Sequence, residues 1–288
     1  MEKIIDTHIH LFDLNKFNYP WLDLFPQLKK NFLISDYFDT TKRFDIESII
    51  FIEANVHETQ LKEEIYYFTE ICKKMSIPGG IICSIDIFND NFYSSVEEIK
   101  KNPYIKGVRY VLHMDNIPPK TCLKKEFIER VQYLGEQNLI FEICARMNEL
   151  DDIYKLVKAS PNTKFILNHM GNIDPNLFSK KSKDSLKLIE SWKKNMKDLA
   201  SLENLYCKIS GLYINQDIDI NICKKIVEFC IDIFSEEKLI VGSNYPVSQE
   251  FFELNLWFDF LISLLDNYSK ELKEKILFKN ANKLYFNL

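Results

Sequence analysis

The run Ile4-Ile5-Asp6-Thr7-His8-Ile9-His10 places two histidines two residues apart at the end of a short apolar stretch. Side chains alternate along a strand, so His8 and His10 leave the same face. Two imidazoles converging there can hold a metal ion, polarise a carbonyl or move a proton. An ordinary polar pair at a strand end is the competing reading, because so short a motif also arises by chance. What favours chemistry is the company the pair keeps. Glu53 ends the second apolar run, Arg109 stands in Gly107-Val108-Arg109, and Glu142 and Arg146 bracket the end of the fifth. The sixth run stops at Asn168-His169-Met170-Gly171, the seventh carries Lys208 and Ser210, and the eighth ends in Gly242-Ser243-Asn244-Tyr245-Pro246. Of the five histidines in the chain, three fall at such ends.

These residues need elements to position them. Strand-like runs are predicted at Lys3–Thr7, Ser48–Glu53, Gly80–Ile85, Ile105–Leu112, Leu139–Cys144, Lys164–Asn168, Leu205–Ser210 and Leu239–Gly242. Helical periods fall between them at 60–75, 94–101, 124–137, 148–159, 185–202 and 219–234, and two more near 251–266 and 269–280 close the chain. Eight strands alternating with helices predict an α/β protein with a parallel sheet closed into a (β/α)₈ TIM barrel. A doubly wound open sheet is the alternative, but it lacks its Gly-rich phosphate loop. With no repeat, linker or break in composition, residues 1–288 are expected to form one barrel domain. In a barrel, chemistry sits at the C-terminal strand ends, where all of these residues fall.

The 288 residues are 46% hydrophobic and 27% charged, as in an ordinary globular enzyme. A net charge of −5 argues against nucleic acid as a partner, and no apolar stretch approaches the roughly 20 residues of a membrane span. The chain opens on its first strand, so no signal peptide is expected, and a cytoplasmic location follows. The seven cysteines form no C-x-x-C pair, and Cys83, Cys144 and Cys207 lie in apolar runs where a reduced thiol acts as a small hydrophobe. Aromatic residues, 14% of the chain, are enough either to fill the core or to cover the surface of a homo-oligomer.

Taken together, Asp6-Thr7-His8-Ile9-His10-Leu11-Phe12-Asp13, then Asn18-Tyr19-Pro20-Trp21-Leu22, resembles the opening of the lactonase branch of the amidohydrolase superfamily. That branch includes fuconolactone, rhamnonolactone and pyrone-dicarboxylate hydrolases. Gly107-Val108-Arg109, Asn168-His169-Met170-Gly171, Cys207-Lys208-Ile209-Ser210-Gly211-Leu212, Gly242-Ser243-Asn244-Tyr245-Pro246 and Asn280-Ala281-Asn282-Lys283-Leu284-Tyr285 follow in the family's order. The resemblance implies a hydrolase that opens a small sugar-acid or dicarboxylate lactone by water attack on the ester carbonyl. It implies that His8, His10 and His169 surround the carbonyl, and that Arg109 and Lys208 are strand-end cations for the substrate or its oxyanion. Arginine's planar fork suits a carboxylate. Glu53, Trp21 and Arg146 join the expected substrate contacts. Trp21 reads equally as an apolar wall or as a plug at the barrel mouth, and Arg146 equally as a substrate contact or as a salt-bridge partner of Glu142 or Glu149. His57 reads as a solvated loop residue, His113 as secondary, and Asp6 as an orienting or capping group.

One position departs from the pattern. Asn244 stands where the family usually has the aspartate that activates water. An amide does not accept a proton near neutral pH and is a poor metal ligand. Losing a positioned base costs about 10²–10⁴-fold in rate. Three accounts follow: His10, His169 or Glu53 supplies the base; the reaction needs no carboxylate there; or the barrel binds a ligand without turning it over. His8, His10 and His169 are the candidate ligands if a metal is bound. Without the aspartate that set is charge-poor, so no cofactor is expected to be obligatory, and a weakly held divalent ion such as zinc is what the set leaves room for. A metal-dependent decarboxylase-type enzyme is the main alternative activity.

Overall fold

Parallel strands covered on both faces need continuous apolar runs, and the chain supplies them: Ile49-Ile50-Phe51-Ile52 and Ile81-Ile82-Cys83 are wholly buried. The computed structural model describes residues 2–180, 182–212, 219–250 and 254–287. Its strands are β1 (Lys3–Ile9), β2 (Asp45–Ile52), β3 (Gly79–Cys83), β4 (Ile105–Val111), β5 (Ile140–Cys144), β6 (Phe165–Leu167), β7 (Leu205–Ile209) and β8 (Leu239–Val241). They form one sheet in chain order. The pairs β1–β2, β2–β3, β4–β5, β5–β6 and β6–β7 are parallel. Just past β8, Tyr245 bridges back to Ile9 of β1. The fold is the expected (β/α)₈ barrel.

The chain divides into two compact units: Met1–Ser84 with Tyr104–Lys106 and Ile240–Leu288, and Ile85–Pro103 with Gly107–Leu239. In the first, Phe51 stacks on Phe68 of the helix Leu61–Lys74, with ring centroids 5.0 Å apart. Burying each such ring contributes roughly 2–3 kcal/mol. Thr7 donates its hydroxyl to the carbonyl of Val241 at 2.6 Å, and Trp257 Nε1 donates to the carbonyl of Gly242 at 2.9 Å. In this way β8 is pinned to β1 on one side and to the helix Leu254–Leu265 on the other. The β1–β2 register shifts between Asp6 and Ile9, so the ladder is irregular where His8 lies.

In the second unit, Phe127 of the helix Lys125–Glu136 packs edge-on against Tyr110 of β4 and Phe141 of β5. These residues therefore point toward the helix. By alternation Arg109 and Val111, and Glu142 and Cys144, point the other way.

The predicted elements recur with ends moved by one to three residues. The helix Ile34–Thr41 lies between the first two strands, where the sequence shows no helical period; it buries only Tyr37 and Thr41, too little for apolar periodicity to reveal. The last predicted helix, 269–280, continues through a wider turn at Lys275–Lys279 to Phe286. The start of the predicted helix 251–266 lies outside the described residues, as do residues 181 and 213–218.

Candidate active site

In the first unit the histidine pair is held by main chain. His10 Nδ1 lies 3.0 Å from the carbonyl oxygens of both Ile52 and Glu53. Carbonyls only accept, so Nδ1 carries the hydrogen, and in the uncharged ring Nε2 is left with a lone pair. That nitrogen sits 3.2 Å from His8 Nε2, which donates to it. The His10 amide donates to the carbonyl of Tyr245 at 2.6 Å, and the amide of Asn244 to the carbonyl of His8 at 2.8 Å. An alanine Cβ at Gly242 would come within 2.5 Å of the His8 Cβ, so only glycine lets β8 approach this closely.

Asp6 organises the surroundings. Its wholly buried carboxylate accepts from the Ser243 amide at 2.8 Å, the His8 amide at 3.2 Å and the Tyr37 hydroxyl at 2.9 Å. Burial raises its pKa against the lowering by these bonds, and burial likewise pushes the Tyr37 phenol well above its ordinary value. The orienting role expected of Asp6 matches these contacts. Asn244 is buried, with φ +58°. Asparagine is among the few non-glycine residues that adopt this conformation readily. Glu53 is buried and accepts from the Asn55 amide at 2.7 Å, and Trp21 Nε1 donates to the Ala54 carbonyl at 2.9 Å. The Trp21 ring meets Phe12 and Phe25 edge-on.

In the second unit side chains hold one another. Lys208 and Glu142, both wholly buried, pair at 2.9 and 2.7 Å, and Asn168 Nδ2 donates to the same carboxylate at 2.7 Å. Asn168 Oδ1 is buried with no hydrogen-bond partner among the described residues, an acceptor without a donor. Arg146 pairs with Glu149 at 3.1 Å and donates to the carbonyls of Met114 and Ile117. Of the two readings left open for Arg146, this geometry supplies a salt bridge to Glu149.

His169 follows β6 in a turn the sequence does not advertise. His169, Met170, Gly171 and Asn172 all have positive φ, between 49° and 74°. For the non-glycine residues this costs about 1–2 kcal/mol each. Trp192 Nε1 donating to the Met170 carbonyl at 2.9 Å and Asn172 Nδ2 donating to the Ala145 carbonyl at 2.8 Å offset that cost. His169 Nδ1 lies 2.8 Å from the Ser210 hydroxyl. At Gly211, where φ is +65°, any side chain would meet the His169 ring. Burial lowers the His169 pKa, and the charges of Arg109 and Lys208 lower it further against the opposing pull of Cys144.

Cys144 and His113 were missed as a pair. The Cys144 side chain is hydrogen-bonded to both His113 and His169, and Asn172 Nδ2 approaches its sulfur at 3.5 Å. Burial alone would push this thiol up; the two histidines instead hold it well below the ordinary cysteine value, and Cys144 raises His113 in turn. The β4–β5 register, Arg109 opposite Glu142 and Val111 opposite Cys144, carries the signal that could have found it.

A tetrahedral zinc ion takes three or four ligands. The His8 and His10 nitrogens are spaced as two such ligands would be, but among the described residues no three His, Cys, Asp or Glu side chains form a group that could hold a metal. The two-imidazole set by itself does not fit a zinc centre.

A parallel barrel with these strand-end residues is the architecture of a large class of hydrolases. The amidohydrolase family profile matches residues 5–286, and the chain belongs to that family. It is 23% identical to the L-rhamnono-gamma-lactonase of Scheffersomyces stipitis, over 98% of each chain. It is 20% identical to the L-fucono-1,5-lactonase of Burkholderia ambifaria, over 67% of this chain and 64% of that one. Among solved structures, an amidohydrolase from Burkholderia multivorans with bound HEPES superposes with a TM-score of 0.86 at 17% identity, over 98% of both chains. This last likeness is one of fold.

Proposed function

We propose that the protein opens a small lactone, of the sugar-acid or dicarboxylate kind, by delivering water to the ester carbonyl. The observation that carries this reading is the His8–His10 pair, whose bonded carbonyls leave His10 Nε2 as an acceptor at the end of β1. When water takes the place of the His8 N–H on that nitrogen, its lone pair can accept a proton from the water and return it to a leaving oxygen. It supplies a base in a chain where Asn244 supplies none. Kinship with two curated sugar lactonases supports the substrate class.

Arg109 is assigned the substrate carboxylate or the developing oxyanion. Lys208 is assigned a supporting role, because its charge is already balanced by Glu142. The acceptor Asn168 Oδ1 suits a sugar hydroxyl. Trp21 walls the ring, and Glu53 and Arg146 shape the substrate site. No metal is required for this chemistry. The protein is expected to act in the cytoplasm on small molecules, with no nucleic-acid or membrane partner.

The test is acid release from L-rhamnono-gamma-lactone, L-fucono-1,5-lactone and a pyrone dicarboxylate, followed with a pH indicator and confirmed by NMR of the hydroxy acid. Turnover of one member supports the reading. Silence with all three, together with binding that leaves them intact, replaces it with a ligand-binding barrel.

A further inference from the structure

Adjacent strands of the second unit send one polar side chain each to the same side of the sheet: Glu142 from β5, Asn168 from the end of β6 and Lys208 from β7. Phe165 packs edge-on against Phe141, on the side that faces the helix, so by alternation Glu142 and Asn168 take the inner side. The C-terminal ends of barrel strands are where substrates bind. Lys208 gives Glu142 two hydrogen bonds, at 2.9 and 2.7 Å, and the two charges offset each other.

The orientation of the Asn168 amide follows from its neighbour. A carboxylate accepts, so the end of the amide that meets Glu142 at 2.7 Å is the donor Nδ2. The amide is planar and its two ends diverge, which turns Oδ1 away from that carboxylate. There the oxygen is buried, in a residue 1% exposed, and no donor among the described residues reaches it. Such an acceptor is costly to bury, and native proteins rarely keep one unless something bound supplies the donor. Main chain holds the residue in place: its amide donates to the Ile143 carbonyl at 2.9 Å, and its carbonyl accepts from the Gly171 amide at 3.0 Å.

We infer that Asn168 determines specificity: its Oδ1 accepts a hydrogen bond from one ring hydroxyl of the substrate, and so selects hydroxylated lactones over dicarboxylate ones. This rests on the lactone reading and narrows it. A ring hydroxyl brings the donor that Oδ1 lacks. A carboxylate brings only lone pairs, against Oδ1 and beside a Glu142 whose counter-charge is already engaged. A pyrone dicarboxylate carries no hydroxyl to offer. A ligand without the hydroxyl leaves Oδ1 buried and unpaired in the complex, the situation in which a polar site rejects an analogue most strongly.

The experiment compares L-fucono-1,5-lactone with its ring-deoxy analogues, each lacking one hydroxyl, on the unaltered protein; L-rhamnono-gamma-lactone is treated in the same way. One analogue should lose about 10–100-fold in kcat/KM. In Asn168→Ala that same analogue should match its parent within about threefold. The ratio is taken within one variant, so partial misfolding of that variant does not change it. A pyrone dicarboxylate should bind the wild-type protein at least about tenfold more weakly than the sugar lactone. Turnover of the parent with a flat deoxy series, which needs no variant, overturns the inference while the lactone reading stands. So does a loss that persists in Asn168→Ala; in either case the missing donor is a resident water. If neither parent turns over, the lactone reading fails, and dissociation constants from calorimetry on the same compounds decide Asn168 alone. One analogue binding about 10–100-fold more weakly, in wild type but not in Asn168→Ala, supports the assignment; a flat series, or no binding at all, overturns it.

Discussion

The histidine pair of the first unit and the charged cluster of the second are held by different means. His8 and His10 are fixed by main-chain groups: the carbonyls of Ile52, Glu53 and Tyr245, and the amide of Asn244. In the second unit Lys208 is fixed by Glu142, Glu142 by Asn168, His169 by Ser210 and Cys144 by two histidines. Main-chain fixing is set by strand register and survives the loss of a neighbouring side chain. Side-chain fixing couples each group to its partners, so one substitution leaves a buried charge or donor stranded.

That contrast orders the expected effects. His10→Asn keeps an N–H for the carbonyls but removes the acceptor nitrogen, so kcat should fall about 10²–10⁴-fold with stability changed by less than about 1 kcal/mol. Rate and thermal melting measured side by side check it; a comparable loss of stability would place the pair in the scaffold instead. Glu142→Gln should do the reverse in kind. It leaves the Lys208 ammonium buried without a counter-charge, at about 3–5 kcal/mol by denaturant unfolding, and a second change, Lys208→Met, should recover much of that. Gly242→Ala drives a methyl group into His8, and we expect about 1–3 kcal/mol lost together with a lower kcat, because strain there displaces the reacting ring. The smallest effect concerns pH. The His169 pKa lies below the ordinary 6.5, so an activity needing its uncharged ring is fully present above that value and is lost as pH falls through the lowered one. Arg109→Gln removes one of the charges holding it down, so the acid limb of the kcat/KM profile should move to higher pH.

The same contrast explains what could be read from the chain alone. His8 and His10 were legible because strand parity is a local rule, and the eight apolar runs were legible because each is continuous. Lys208–Glu142, 66 residues apart, and His169–Ser210, 41 apart, are set by register between strands that no single stretch encodes. Cys144 hid inside Phe141-Glu142-Ile143-Cys144-Ala145, which reads as core. The left-handed turn at His169 hid because only Gly171 within it announces positive φ. Asn244 was visible as a departure from its family, but its backbone setting, φ +58° beside the His8 carbonyl, was not.

The central claim is that this barrel opens a lactone without a carboxylate at position 244. The most direct test is kcat for chelator-treated wild type and for Asn244→Asp, side by side on L-rhamnono-gamma-lactone and L-fucono-1,5-lactone. The account predicts turnover by the wild-type protein, unaffected by the chelator. A silent wild type that becomes active only as Asn244→Asp would contradict it, and would make the missing carboxylate the reason.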